Sequence, residues 1–407
     1  MPFLTAYAHF IGGDWSDNAK RAVARIRDSF AGHSLKAVLY FAAQNYDLPL
    51  LAAEFKLAFP GVRTFGCTSA GEFTSGAILG DSVVAMGLGD DVIESVELVG
   101  ASGVDAEPAL ADRLLAGLEG ATGLRMRDLD FREYVGFMLL DGLANRNDEF
   151  VERVGELTDV IFAGGCAGDY HRFEKTLVFL DGAVYGNGAV LALMKPRVKF
   201  SVFKTQFIKL TDCTMVATAV DRERRVVLEF DGQPAATAYA AAMGVELSPE
   251  LFKASGKKSS QIYAEAVLNL GRSGNIEDAF VKRFIEWPLA VMIGGEPFIR
   301  AATTLTDAGG LQMYMPPIAG VRYTATRSED ALAGMRAVLE EKRRELGTIS
   351  GVITATCALL AVQLRTAGEE REYGGLFRDI PTVGLASYGE IYVGVVSQSA
   401  AMIVFGQ

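Results

Sequence analysis

Apolar and polar residues alternate along this 407-residue chain in an order that predicts strands and helices. Residues 37–44 form a continuous apolar run typical of a buried strand. Residues 47–59 then carry apolar side chains at helical spacing. Asp47 and Pro49 favour a helix start there, as an N-cap and a first-turn proline. Gly61 breaks the helical pattern, and two more predicted strands follow it, at residues 62–69 and 81–89.

The same order of elements recurs twice later in the chain. The second copy predicts a strand, a helix and three more strands, at residues 133–142, 147–157, 159–169, 175–184 and 186–194. The third copy predicts a long apolar strand-like stretch, a short polar segment and two strands, at residues 351–364, 369–377, 379–392 and 398–405. Repeated supersecondary units of this kind indicate internal symmetry.

Short motifs at the strand ends support this repetition. The motif CTSAGEF at residues 67–73 matches LASYGEI at residues 385–391, since each ends a strand with Ser-x-Gly-Glu. A looser match is GGCAGD at residues 164–169, in which Asp169 takes the position of the glutamate. We therefore predict a mixed α/β (α+β) fold with pseudo-symmetric repeated β-α-β units and mixed sheets.

The middle of the chain has a different pattern. Residues 197–231 alternate in a way that predicts antiparallel strands. From Asp231 the pattern changes to helical period, with Pro234 at an early helical position. Because 407 residues exceed what one compact core usually takes, we expect two domains, at residues 1–230 and 231–407.

Composition excludes several classes of protein. The formal net charge is −11, and the 39 basic residues are scattered, whereas binding to nucleic acid or to an anionic membrane needs a concentrated basic face. The four cysteines lie far apart, which predicts neither a disulfide framework nor a zinc site. The start of the chain does not read as a signal peptide. We therefore expect a cytoplasmic protein and leave open whether it forms a homo-oligomer.

Motifs for catalysis are scarce. The segment SGKKSS at residues 255–260 lacks the upstream glycine of a phosphate loop, and no dinucleotide-binding motif or nucleophile elbow appears. With three histidines in the chain, few pairs of a histidine and a nucleophile are available. A cysteine-dependent enzyme that uses Cys67 or Cys166 remains an alternative, but we favour a protein that is not an enzyme.

Gly-rich strand ends predict a binding surface instead. Such turns expose backbone N–H groups, and ligands collect at the carboxyl ends of strands in α/β folds. The polar and thiol side chains at these ends are Thr68, Ser69, Glu72, Cys166, Asp169, Ser387, Tyr388 and Glu390. The alternative is that Glu72 and Glu390 cap helices or accept bonds from loop amides.

These segments resemble the FIST family of signal-transduction sensory domains, which has an N-terminal and a C-terminal part. The resemblance lies in GCTSAGEF (66–73), FAGGCAGD (162–169), TLVFLDGAVYGNGAVLALM (176–194), VATAVDRERRVVLEFDGQPAATAY (216–239), CALLAVQL (357–364) and VGLASYGEIY (383–392). It implies an intracellular sensor of a small ligand, for which amino acids are one proposed class. In that version Glu72, Asp169 or Glu390 pairs with an ammonium group.

The chain also resembles stand-alone nitric-oxide-sensing proteins, which bind haem and regulate a separate histidine kinase. This resemblance implies haem b with His171 as the axial ligand of the iron, flanked by Tyr170 and Phe173. Asp169 or a backbone carbonyl would orient the second nitrogen of the imidazole, and Arg172 would meet a propionate. His9 and His33 are weaker candidates for the axial ligand.

Overall fold

The computed structural model describes residues 3–10, 12–244, 285–306 and 308–407. Their packing groups the chain into two compact units. Unit 1 comprises Met1–Thr205, Met335–Val395 and Ser399–Gln407, and unit 2 comprises Gln206–Gly334 and Val396–Gln398. The predicted boundary between two domains, at residues 230 and 231, is a separate matter from this packing and stays a prediction. The SGKKSS segment lies outside the described residues.

The first copy of the repeat follows the predicted order closely. Its elements are β1 Phe3–His9, α1 Trp15–Ser29, β2 Leu35–Ala43, α2 Leu48–Ala58, β3 Arg63–Ser69, β4 Glu72–Thr74, β5 Ala77–Leu79 and β6 Ser82–Gly89. The Asp47 carboxylate caps α2 by accepting from the Leu50 N–H at 3.2 Å, and Pro49 lies in the first turn. The predicted helix start is therefore confirmed, because the cap satisfies an N–H that has no partner inside the helix.

The second copy has the same elements. They are β7 Ile93–Ser102, α3 Leu110–Thr122, β8 Val135–Leu140, α4 Asn147–Leu157, β9 Phe162–Cys166, β10 Val178–Leu180, β11 Ala183–Tyr185 and β12 Gly188–Pro196. The helix predicted at residues 147–157 is confirmed at both ends by α4. The connection between β9 and β10 is longer than its counterpart between β3 and β4, and it contains Asp169.

A strand of the third copy, β13 Phe200–Gln206, precedes unit 2 along the chain. The elements of unit 2 are β14 Ile208–Asp221, β15 Val226–Phe230, β16 Gln233–Pro234, α5 Ala235–Met243, β17 Leu289–Ile293, β18 Glu296–Arg300, β19 Ala302–Leu305, β20 Leu311–Met313 and β21 Arg322–Ser328. Antiparallel pairing of β14 with β15 and β21 confirms the predicted strands of this region. The buried side chains of Phe230, Tyr239 and Tyr323 belong to its core.

The rest of the third copy follows unit 2 along the chain. Its elements are α6 Ala331–Leu346, β22 Gly351–Cys357, α7 Ala358–Ala367, α8 Glu370–Gly375, β23 Thr382–Ser387, β24 Glu390–Tyr392, β25 Gly394–Val396 and β26 Ser399–Phe405. The strand predicted over residues 351–364 is wrong in its second half, which is helix α7. The β-branched residues of this stretch concentrate before Cys357, whereas good helix formers such as Ala358, Leu359 and Leu360 follow it.

The three copies exchange their short hairpins. Each copy pairs two neighbouring strands in parallel, namely β2 with β3, β8 with β9, and β22 with β23. The β4–β5 hairpin then adds to the sheet of the third copy, β10–β11 to that of the first, and β24–β25 to that of the second. The predicted pseudo-symmetric β-α-β units and mixed sheets are therefore confirmed, and the exchange links the copies in a closed cycle.

The main core lies where side chains of all three copies meet. Phe65, Phe137, Leu139, Ile353 and Leu385 are each almost completely buried in one cluster. Burial of this apolar surface is the main favourable contribution to the stability of unit 1. None of the described helices is both long enough and apolar enough to cross a membrane.

Candidate functional site

The carboxyl ends of β3, β9 and β23 converge and bond one another through the backbone. Three such bonds run from one copy to the next: Gly168 N–H to Thr68 O at 3.0 Å, Ala70 N–H to Ala386 O at 2.9 Å, and Tyr388 N–H to Cys166 O at 3.0 Å. Three more run the other way: Ala386 N–H to Gly71 O at 2.7 Å, Cys166 N–H to Gly389 O at 2.8 Å, and Thr68 N–H to Leu177 O at 2.9 Å. These donors therefore bond other copies, and the expectation that they remain free for a ligand is wrong.

The glycines of this region allow the strand ends to approach closely. A Cβ on Gly165 would lie 2.7 Å from the Ala355 Cβ and 2.8 Å from the Ser387 Oγ. A Cβ on Gly168 would lie 2.7 Å from the Ala70 backbone nitrogen. Such distances leave no room for a side chain, so close packing of the copies accounts for these two glycines.

Glu72 lies fully buried at the start of β4. Its carboxyl group accepts from the Ser69 hydroxyl, from the Ser82 N–H at 3.2 Å and from the Ser82 hydroxyl at 2.7 Å. The Tyr170 hydroxyl also donates to it, at 3.1 Å. Burial raises the pKa of Glu72 to about 7, against the opposing effect of these hydrogen bonds. The carboxyl group can therefore exchange a proton near neutral pH.

Glu390 occupies the corresponding place in the third copy. Its carboxyl group accepts from the Ser399 N–H at 3.2 Å and from the Ser399 hydroxyl at 2.7 Å, as that of Glu72 does from Ser82. Burial raises the pKa of Glu390 well above its ordinary value. The two Ser-x-Gly-Glu motifs therefore correspond in the hydrogen bonds of their glutamates as well as in sequence. Sequence analysis missed both serines, although each begins a strand nine or ten residues after its glutamate.

Asp169 is not the third member of this set, so its assignment to the position of the glutamate is corrected. In the strand pairing Glu72 lies opposite Leu385, and Glu390 lies opposite Gly165. The residue in the matching position of the second copy is the apolar Val178, opposite Cys67. Asp169 lies instead in the longer connection that precedes β10.

The Asp169 carboxylate organises this connection, residues 169–175, which we name the Asp169 loop. One oxygen accepts from the Phe173 N–H at 2.9 Å, and the other accepts from the N–H groups of Glu174 and Lys175 at 2.7 and 3.0 Å. The Tyr388 hydroxyl also donates to the carboxylate and accepts from the His171 N–H at 2.6 Å. Asp169 is fully buried, and these charge-assisted bonds fix the loop against the third copy.

The backbone of the Asp169 loop is strained. Tyr170, His171 and Phe173 have φ angles of 55°, 62° and 54°, in the left-handed region that bulky residues rarely adopt. Each such residue costs on the order of 1–3 kcal/mol, and it persists only where the surroundings impose it. Here the Asp169 carboxylate and the Tyr388 hydroxyl bond the N–H groups of Phe173 and His171, and the Tyr170 hydroxyl is bonded to Glu72.

His171 is enclosed beside aromatic rings. Its side chain is 8% exposed, and its ring lies 5.8 Å from that of Tyr388 and 6.2 Å from that of Phe173, between centroids. Burial lowers the pKa of His171 to about 4; Arg365 contributes in the same direction, whereas Asp169 opposes it. The imidazole is therefore neutral at physiological pH. Sequence analysis missed Arg365, which is far from His171 along the chain.

The remaining predicted site residues divide into two groups. The Thr68 hydroxyl accepts from the Leu177 N–H at 3.1 Å, and the Ser387 hydroxyl accepts from the Cys166 N–H at 3.1 Å. These residues join the buried network of strand ends. Arg172 does not join it, because its side chain is exposed.

Comparison with protein families found two matches. A FIST N domain model matches residues 36–233, and a FIST C domain model matches residues 260–393. No sequence among the curated proteins matched the chain. The N-terminal match contains Glu72 and the Asp169 loop, and the C-terminal match contains Tyr388 and Glu390.

Proposed function

Because the chain belongs to the FIST family, whose domains sense small ligands in signal transduction, we propose that it is a sensor whose moving element is the Asp169 loop. Ligand binding changes the conformation of this loop, and a signalling partner responds to the change. A ligand shifts such an equilibrium only by the difference between its affinities for the two states.

The strained backbone of the loop is the observation that carries this proposal. Three bulky residues have left-handed conformations: the N–H groups of His171 and Phe173 bond Tyr388 and Asp169, and the Tyr170 hydroxyl donates to Glu72. If those contacts break, the strain of each residue is released, which offsets part of the lost bonding. We infer that the loop has an alternative state at a modest cost in free energy, as a switch element requires.

Haem with nitric oxide is the most specific form of the proposed function, and the local geometry does not fit it. An axial ligand needs an open cavity beside the imidazole. The His171 ring is instead enclosed beside Tyr388 and Phe173, and the Arg172 side chain is exposed. We therefore assign no role to haem.

An amino acid is the second form, with an ammonium group on Glu72, Asp169 or Glu390. All three side chains are fully buried, and burial favours the neutral form of both glutamates. An ammonium group needs an accessible negative charge, so this form requires the Asp169 loop to open first. The thermal-shift screen described below therefore includes amino acids as ligands.

A cysteine-dependent enzyme has less physical support than a sensor. Burial raises the pKa of the Cys67 and Cys166 thiols well above their ordinary value. A reactive cysteine needs the opposite shift, since the thiolate is the nucleophile. Alkylation of both thiols by iodoacetamide no faster than that of a free thiol supports a non-enzymatic role, and faster alkylation contradicts it.

The experiment is a thermal-shift screen of the full chain against amino acids, haemin with and without nitric oxide, and phosphorylated metabolites. A ligand that binds the native state raises the melting temperature. We expect one class to raise it in the wild type and to raise it differently in Tyr388→Phe, whose loop loses its bonds to the Tyr388 hydroxyl. An equal shift in both proteins contradicts a role for the loop. The proposed partner, a histidine kinase, is tested by its autophosphorylation with and without that ligand.

A further inference from the structure

An open cleft in unit 1 is lined by arginines. It has a volume of about 510 Å³, and its lining includes Arg336 on α6, Arg371 on α8, and Arg378 just beyond α8. One acidic residue, Glu372, also lines it. The cleft therefore carries three positive charges against one negative charge, within a chain of net charge −11. Such a local excess of positive charge attracts anions.

Two of the three guanidinium groups have unused donors. Arg336 contacts Glu372 at 3.4 Å in an exposed ion pair, which contributes little to stability. Arg371 and Arg378 contact no carboxylate in the part of the chain that the structure describes. No ion pair within the described residues therefore accounts for these two charges.

Two glycines of the cleft lining border open space. A Cβ on Gly368 would meet no atom within 4 Å, and one on Gly375 would meet only the Arg378 Nη2, at 3.9 Å. Leu376 adds an apolar contact surface to the lining. The volume lies within the range of about 300–1,000 Å³ that is usual for sites of small organic ligands.

We propose that this cleft, which we name the arginine cleft, binds a small organic anion with a terminal phosphate group. Guanidinium groups donate two parallel hydrogen bonds to phosphate oxygens, which gives both affinity and orientation. Arg371 and Arg378 are the direct phosphate ligands. Leu376 contacts the apolar part of the ligand.

The cleft is connected to the buried carboxyl group of Glu72. Helix α8 packs so closely on the β4–β5 hairpin that a Cβ on Gly374 would lie 2.9 Å from the Ala77 Cα. The same hairpin begins with Glu72, which accepts from Tyr170 of the Asp169 loop. A ligand that moves α8 therefore acts on the loop through one hairpin. This connection rests on the proposed function, whereas anion binding by the arginines does not.

The test measures binding of pyrophosphate to the full chain by isothermal titration calorimetry, at constant ionic strength. The variants are Arg371→Ala with Arg378→Ala, and the control Arg343→Ala, which removes an exposed arginine of α6 outside the cleft. Citrate replaces pyrophosphate in a second arm. A thermal melt of each variant without ligand verifies that it is folded.

We expect the double variant to bind pyrophosphate at least tenfold more weakly and the control to bind as the wild type does. Equal binding by the double variant and the wild type overturns the proposal. Preference for citrate over pyrophosphate overturns the phosphate class. If pyrophosphate binds at the arginines without changing amide exchange in the Asp169 loop, the cleft stands and its connection to the loop fails.

Discussion

The Tyr388 hydroxyl donates a hydrogen bond to the carboxylate of Asp169, a residue 219 positions earlier in the chain. The same hydroxyl accepts from the His171 N–H, and the Tyr388 ring stacks on Phe173 with centroids 4.8 Å apart. One side chain of the third copy therefore holds the strained loop of the second. This relationship gives the sensor a defined contact to break.

Replacing Tyr388 by Phe tests this contact while keeping the aromatic ring. We expect a loss of about 1–3 kcal/mol in the free energy of unfolding, because a buried carboxylate and a buried N–H each lose a partner. Chemical denaturation measures the loss. Tyr185→Phe is the control, since this half-buried tyrosine of β11 makes no hydrogen bond to residues 169–175, all of which the structure describes. A change for Tyr388→Phe no larger than for the control contradicts the proposed clamp.

Replacing Asp169 by Asn tests the carboxylate that organises the loop. The amide group retains one acceptor oxygen in place of two and adds donors that face backbone N–H groups. We expect a destabilisation of about 2 kcal/mol or more. Asp159→Asn changes an exposed aspartate and should alter stability by less than about 0.5 kcal/mol. Equal melting temperatures of the two variants would contradict a stabilising role for the hydrogen bonds of Asp169.

Replacing Glu72 by Gln tests the pKa of about 7. The folded-state pKa lies above the unfolded value, so the stabilising contribution is complete below about pH 4.5 and is lost as pH rises through about 7. The wild type should therefore lose about 3 kcal/mol relative to the variant between pH 4.5 and pH 8. Glu340→Gln, an exposed site, should show no such trend. Parallel pH profiles for the wild type and Glu72→Gln are the contrary result.

His171 should remain neutral well below pH 6.5. Its folded-state pKa is lowered to about 4, so the stability that it contributes is present above about pH 6.5 and is lost as pH falls towards 4. Nuclear magnetic resonance of the imidazole should show the neutral form at pH 5.5. A titration midpoint at or above about 6.5 would mean that the side chain is solvated.

Two glycine substitutions should have effects of opposite sign. Gly165→Ala forces a Cβ to 2.7 Å from Ala355 and should destabilise unit 1 by about 1–3 kcal/mol. Gly155→Ala meets no atom within 4 Å inside helix α4 and should stabilise it by about 0.5–1 kcal/mol. Thermal denaturation distinguishes the two. Tolerance of alanine at Gly165 would mean that the strand ends do not pack as described.

Local elements of the fold were predictable because their signals are local. Helix α4 and the start of α2 follow from periodicity and from the Asp47 cap. The hairpin exchange was not predictable, since three-residue strands such as β4 and β10 carry no signal for a partner in another copy. The same limit explains the error over Asp169, whose spacing matches Glu72 although its strand register does not.

The site was predictable in its residues but not in their roles. The Gly-rich turns do bring Thr68, Glu72, Asp169 and Ser387 into one region. Their donors and acceptors satisfy one another there, which depends on contacts between residues about 100–300 positions apart. No local pattern in the sequence predicts the arginine cleft, because Arg336 lies far from Arg371 and Arg378 along the chain.

The most direct test of the account is amide hydrogen exchange over residues 169–175, with and without a ligand that the thermal-shift screen identifies. The account predicts slow exchange at Phe173, Glu174 and Lys175 in the free protein, since their N–H groups bond the Asp169 carboxylate. It predicts that the ligand changes this rate at least tenfold, more than in strands β2 and β22. Unchanged exchange in the loop at saturating ligand would contradict the account.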